Sequence, residues 1–408
     1  MMMLNEQAIH AFLEKYDFDV RKSQNGRWFD QKCTPDVISI VADCVFNYVM
    51  EKGKNIQFNS PEIWRHKYTE ENVRDIFNKP STGEAMAKNE YDKFFAQPLE
   101  MLAYSNVLTK IKRGNRNFYI VNNLAILEFI ALRERNALLF IKIYIEKVLR
   151  ASGIWPYFES FLYSQSKETY ASLKDNYEFF IIQNTKINGK TEVRRIFTKV
   201  INPLAYYSRS LGSIKGRISK NTITYMDLMY NRENFRDLNA DKPKGMTRKD
   251  WHEIHGLKIN EKYYKYQSNK AKNFLKRFND QYRNGLSEVD DELSAGYATQ
   301  IHHIFPEHEF PEIAYYLENL IALTPSQHFI KAHPRNNTQR VCKIYQELLL
   351  KSKAGSIEEN IYDNAVDTIY SFGQFMEVIS TGFESDYEIE ENDFATVMSV
   401  INEYYTNE

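Results

Sequence analysis

Residues 297–337, YATQIHHIFPEHEFPEIAYYLENLIALTPSQHFIKAHPRNN, decide how the chain is read. His302 and His303 are consecutive within an apolar run (Ile301, Ile304, Phe305) of strand character, and successive strand residues leave the backbone on opposite faces. One imidazole can therefore bind a metal ion while its neighbour faces something else. A loop carrying Pro306 and Pro311 comes next, then a second apolar run, YYLENLIAL, and then a helix start. Thr324 stands at the N-cap, Pro325 at the first helical position, and Gln327 three residues after the cap, the spacing of a capping box. His328 falls in the first turn of that helix. The predicted order is strand, loop, strand, helix.

In order and spacing the stretch resembles the HNH, or ββα-metal, nuclease motif. It has a His pair, Asn319 sixteen residues after His303 in the context NLIAL, and His328 nine residues later. The resemblance implies that His302 binds the metal, that His303 is the general base, that Asn319 orients the loop or joins the metal, and that His328 is a ligand. The colicin-like branch has a further helical His. Here His333 comes five residues after His328 rather than four, about 140° around an α-helix, and Pro334 biases it away from helical geometry. It stands as a further candidate ligand or phosphate contact. The implied cofactor is one divalent ion per site. Mg²⁺ is expected, with Mn²⁺ or another transition metal as the alternative that imidazole donors suit. Many family members carry two CxxC pairs; Thr324 and Gln327 lie where the second would be, so no structural zinc is expected.

The activity so implied is metal-dependent hydrolysis of phosphodiesters in double-stranded DNA, as in a type II restriction endonuclease. About 300 residues upstream are free for recognition, and a palindromic target would be matched by a homodimer. Other readings are a modification-dependent or homing-type nuclease, an RNA-cleaving toxin, and a DNA-binding regulator whose HNH centre is inert.

Composition sets the frame. The 408 residues, 43% hydrophobic and 14% aromatic, describe a globular chain with room for two or three cores. The pattern predicts a mainly α fold with small β elements (α+β). It divides into a helical, winged-helix-like recognition domain over 1–150, a basic, largely helical region over 151–290, an HNH module over 291–353 and an acidic helical segment over 354–408. Net charge is −1, yet residues 183–286 hold 23 Lys and Arg against 9 Asp and Glu, while no Lys or Arg occurs after Lys353. A solvated helix face is the usual meaning of a charge run. An excess of 14 positive charges, with Tyr206, Tyr207, Trp251, Tyr263, Tyr264, Tyr266 and Phe274 interleaved, is instead the footprint of a phosphate-binding belt. Its candidates are Lys215 and Arg217 in LGSIKGRISK and Lys272, Lys276 and Arg277 before the motif; Arg335, after the motif, is a further candidate DNA contact.

Toward the N-terminus, Thr34 and Pro35 open a helix running to Met50, and VLTKIKRGNRNFYIV reads as a hairpin. The hairpin's Lys110, Lys112, Arg113 and Arg116 suit a DNA-contacting wing, although basic residues also protect ordinary strand edges. Asp30 and Lys32 could be half of a PD-(D/E)xK site, but Asp17 and Asp19, the acids available to complete it, lack a strand between them and Asp30. Cys33, Cys44 and Cys342 form no CxxC, which fits a reducing compartment. The start MMMLNEQAIHAFLEKYDF lacks the pattern of a secretory signal. The most apolar helix, residues 137–149, is interrupted by Lys142 and Glu146 and is too short to span a bilayer. A cytoplasmic protein with no membrane partner is expected.

Overall fold

Strong helix formers dominate most stretches between Pro and Gly breaks, and the computed structural model is 61% helix and 9% strand. It describes residues 6–77, 79–84, 87–230, 261–333, 342–363 and 368–407. Strands among these residues pair only as two-stranded antiparallel sheets, so the class is α+β with helix in excess. The chain divides into two compact units, Leu4–Ile259 and Asn260–Glu408. The segment read as one basic region over 151–290 is thus shared between them.

The first unit runs α1 (Glu6–Leu13), α2 (Val20–Ser23), α3 (Pro35–Lys52), α4 (Ser60–Trp64), α5 (Lys67–Phe77), α6 (Ala87–Tyr104), β1 (Leu108–Arg113), β2 (Arg116–Val121), α7 (Leu124–Leu132), α8 (Glu134–Ala151), α9 (Trp155–Ser164), α10 (Lys167–Asn184), α11 (Lys190–Tyr207), β3 (Leu211–Ile214) and β4 (Arg217–Thr222). Its centre is α3, where Val37, Ile38, Val41, Cys44, Val45 and Val49 are all solvent-inaccessible. A helix apolar on nearly every side must be surrounded, and α7 and α8 pack along it. Each such side chain contributes about 1.5–3 kcal/mol over its exposed state.

The predicted hairpin forms with Leu108 opposite Val121 and Arg113 opposite Arg116. Gly114 turns its tip at φ 57°. A bridge adds to it: Phe58 N–H donates to Tyr119 O (3.0 Å) and Tyr119 N–H to Phe58 O (2.7 Å). The second hairpin, β3–β4, corrects the largely helical reading of this region. Its two-residue tip, Lys215 and Gly216, has φ of 51° and 75°, the positive values a tight hairpin turn requires. Tertiary contacts hold these short strands. Asn202 Oδ1 accepts from Ser213 N–H (2.8 Å), while its Nδ2 donates to Ser213 O (3.0 Å). Gly212 leaves room for the neighbours, since a Cβ there would lie 2.5 Å from Ile223 and 2.6 Å from Asn202.

The second unit contains α12 (Glu261–Tyr282), β5 (Gln300–His303), β6 (Leu320–Leu323), α13 (Lys343–Tyr362), α14 (Phe372–Gly382) and α15 (Phe394–Asn407). The strands β5 and β6 are antiparallel, with α12 packed on both. The acidic C-terminal segment folds on its apolar spacing. Phe394, Val397 and Ile401 are buried, and Tyr404 stacks on Phe383 at 3.8 Å. Gly382, ending α14, lies under the ring of Phe305, which a Cβ would meet within 2.2–2.4 Å.

A buried charge cluster fixes β6. Glu288 and Lys353 are both inaccessible to solvent and pair at 3.0 Å, and Arg283 joins Glu288 at 2.7 Å. Glu288 also accepts from Ala322 N–H (3.0 Å), and Lys353 Nζ donates to Tyr370 OH (2.7 Å). Burial alone would raise the Glu288 carboxyl. Lys353, Arg283 and the Ala322 amide overcome it and hold the group at about 2. Among the described residues no helix is long and apolar enough to cross a membrane.

Candidate metal centre

His302 stands opposite Ile321 and His303 opposite Leu320. Because neighbours on a strand diverge, the two rings enter different surroundings. The ring of His302 meets His328 and His333 at centroid distances of 5.2 and 4.9 Å. The ring of His303 faces Ser268 of α12 and the loop carbonyl of Ala314.

The capping box places His328. Gln327 N–H donates to Thr324 Oγ1 (3.2 Å) and Thr324 N–H to Gln327 Oε1 (3.0 Å). The residues just before the motif lock this turn: Ser287 Oγ donates to Gln327 Oε1, Gln327 Nε2 donates to Val289 O and Asp291 Oδ1, and Thr324 Oγ1 donates to Leu293 O. Beyond the cap the chain departs from the predicted α-helix. Gln327–Ala332 is π-helical, and His333 N–H donates to His328 O, five residues back, at 3.1 Å. This wider turn removes the α-helical offset expected of His333. Five residues make about one π turn, so His333 returns beside His328 with ring centroids 4.8 Å apart.

One ring nitrogen from each of His302, His328 and His333 lies within 4.8 Å of the other two. In each ring one buried nitrogen has no hydrogen-bond partner: His302 Nε2, His328 Nδ1 and His333 Nδ1. An orphaned buried polar atom costs about 1–3 kcal/mol, and three of them in rings that meet one another call for a partner. Burial, reinforced by His328, holds His302 well below the ordinary histidine range, and burial with His333 brings His328 to about 4. Both are therefore neutral, with a lone pair to offer. Nitrogens about 2.1 Å from a shared tetrahedral ion lie about 3.4 Å apart, so the widest pair would draw in by no more than about 1.4 Å. The three residues fit a metal ion.

His303 is only 11% exposed at its side chain, and its Nε2 is 3.1 Å from Ser268 Oγ and 3.0 Å from Ala314 O. A carbonyl only accepts, so Nε2 carries the proton and Nδ1 the lone pair. Burial and the nearby Lys272 charge bring this imidazole to about 3, which keeps it neutral. Glu307 Oε2 is 3.9 Å from the ring.

Asn319 is fully buried and does not join the cluster. Its Oδ1 accepts from Phe305 N–H (2.8 Å), and its Nδ2 donates to Phe305 O (3.0 Å) and Ile313 O (3.3 Å). Of the two roles the resemblance offered, the geometry has Asn319 tying the loop between the strands, with its side-chain oxygen already engaged.

The basic candidates lie on separate elements. Lys110 pairs with Glu100 (2.7 Å) and Arg113 donates to Gln57 (2.6 Å), while Lys112 and Arg116 are exposed on the same hairpin. Lys215 is in the tip of β3–β4 and Arg217 follows it on β4, and Lys276 pairs with Asp280 (2.9 Å). Arg277 is exposed on α12. Arg335 and Trp251 lie outside the described residues.

The rival Asp30–Lys32 pairing is used structurally. Asp30 binds Arg27, Lys32 donates to Tyr230 OH, Asp17 pairs with Lys22, and Asp19 caps α2. No strand connects these residues. Sequence reasoning missed Ser268, whose position one α12 face away from a distant strand leaves no local signal. Comparisons with protein-family models, with curated proteins and with solved structures each found no match.

Proposed function

We propose that the chain is a metal-dependent endonuclease of the HNH, or ββα-metal, type, hydrolysing phosphodiesters of double-stranded DNA. One observation carries this reading: His302, His328 and His333 each bring a ring nitrogen within 4.8 Å of the others, and each ring has a buried nitrogen without a partner, beside a separately held imidazole, His303. Three imidazole nitrogen donors favour a transition ion such as Mn²⁺ or Zn²⁺ over Mg²⁺, which prefers oxygen. A divalent ion bound there supplies counter-charge for the phosphoryl oxygens and for the departing oxygen. The protein supplies the rest. His303, fixed by Ala314 O and Ser268, offers Nδ1 to the proton of an attacking water. Asn319 keeps the loop bearing Ala314 in register with β5, and Lys353 with Glu288 holds β6.

The first unit is read as the recognition part. The order helix, bridge at Phe58, helices, then hairpin is consistent with a winged helix, with Lys112 and Arg116 as phosphate contacts on the wing. Restriction-type cleavage is the form of activity proposed, and a palindromic target would be matched by a homodimer. Incubating the protein with plasmid and phage DNA in Mg²⁺, Mn²⁺ or Zn²⁺ tests it. Discrete fragments are expected. A smear would remove sequence specificity, and retention without cutting would leave a DNA-binding protein with an inert centre.

A further inference from the structure

Helix α12 lays one face across the two strands, and Ser268 on that face reaches His303. Lys272 lies four residues after Ser268, so it projects from the same face one turn along. Its charge is felt at His302, His303 and His328, and it in turn feels Glu307. It is partly buried, and no carboxylate among the described residues lies in ion-pair contact with it, whereas Lys276 on the next turn is paired with Asp280. Burial lowers its ammonium from the usual lysine range. A desolvated cation beside a nest of metal ligands is unfavourable for both cations. The arrangement becomes favourable when an anion bridges them.

We propose that Lys272 is a phosphoryl-binding residue of the centre, its ammonium taking a non-bridging oxygen of a phosphodiester whose other oxygen faces the metal held by His302, His328 and His333. This rests on the metal-centre reading, and assigns Lys272 to the reacting phosphate rather than to the general DNA-contacting belt. Lysine serves such a role as a point charge. The ligand class is a phosphodiester monoanion.

The test is calorimetric titration of Mn²⁺ into the full chain, with and without dimethyl phosphate, for wild type, Lys272→Met and Lys272→Arg. Binding of anion and cation at adjacent positions is reciprocal, so dimethyl phosphate should tighten Mn²⁺ binding to wild type by about fivefold or more. Lys272→Met should bind Mn²⁺ alone more tightly than wild type, because a like charge is gone, yet lose most of the phosphate enhancement. Lys272→Arg should keep it. A purely structural lysine would not produce these opposite movements. Lys272→Gln carries the same expectation should the methionine variant not fold. If Lys272→Met retains the full enhancement, or binds bare Mn²⁺ no more tightly, this inference alone is overturned. If wild type binds no Mn²⁺, the metal-centre reading falls and this inference with it.

Discussion

Replacing Glu288 with Gln should loosen the strand that carries the second half of the candidate site. Glu288 is fully buried, contacts Lys353 at 3.0 Å and Arg283 at 2.7 Å, and accepts the Ala322 amide of β6. The substitution keeps the shape but leaves the buried Lys353 and the partly buried Arg283 without their counter-charge. Losing one partner of a buried ion cluster costs about 3–5 kcal/mol. The pH dependence gives a second figure. A carboxyl that moves from 4.5 when unfolded to about 2 when folded contributes about 3 kcal/mol. Because the folded value is the lower one, that stability is fully present above about pH 4.5 and is lost as pH falls toward 2. Hydrogen exchange read by mass spectrometry over β6, with first-unit peptides as internal control, measures both effects. In Glu288→Gln, β6 should exchange faster at pH 7 and lose the Glu288 part of its acid sensitivity. Unchanged exchange at β6 would refute the reasoning.

Three further outcomes are expected from the geometry. His303→Ala should slow cleavage by about 10²–10⁴ while DNA retention survives in a gel-shift assay; wild-type cleavage would remove His303 as base. Lys112→Gln with Arg116→Gln should flatten the log–log salt dependence of DNA binding by about 0.9 per lost contact. Lys110 and Arg113, already engaged by Glu100 and Gln57, should contribute less. Neutralising the exposed Glu384, Asp386, Glu388, Glu390 and Glu391 should change DNA affinity by less than about tenfold, or ~1.4 kcal/mol; a far larger gain confined to low salt would mean that the acidic segment covers the DNA surface.

Much of the local structure was legible in the sequence because its causes are local. Thr34 and Pro35 announce α3, Thr324 and Gln327 announce their capping box, and the Gly114 turn announces β1–β2. The opposite facing of His302 and His303 comes from the pleat alone. The features that escaped depend on distant partners or rare geometry. β3–β4 has one clear local mark, the Lys215–Gly216 turn, and owes its register to Asn202 from the preceding helix. The convergence of His333 required a π turn, for which the spacing of His328 and His333 under ordinary helical geometry gave the wrong angle. Ser268, and the nearness of Lys272 to the histidines, came from how α12 packs, and no spacing within the motif records that.

The most direct measurement is Mn²⁺ and Zn²⁺ titration, by calorimetry, of wild type and of His302→Ala, His328→Ala, His333→Ala and His303→Ala. One ion per wild-type chain is predicted. Each of the first three substitutions should weaken binding by at least about tenfold, the loss that even an outer-shell change produces, while His303→Ala keeps the stoichiometry. Wild-type affinity in His333→Ala would show that the π turn does not deliver a ligand, and undiminished affinity in all three would contradict the metal centre itself.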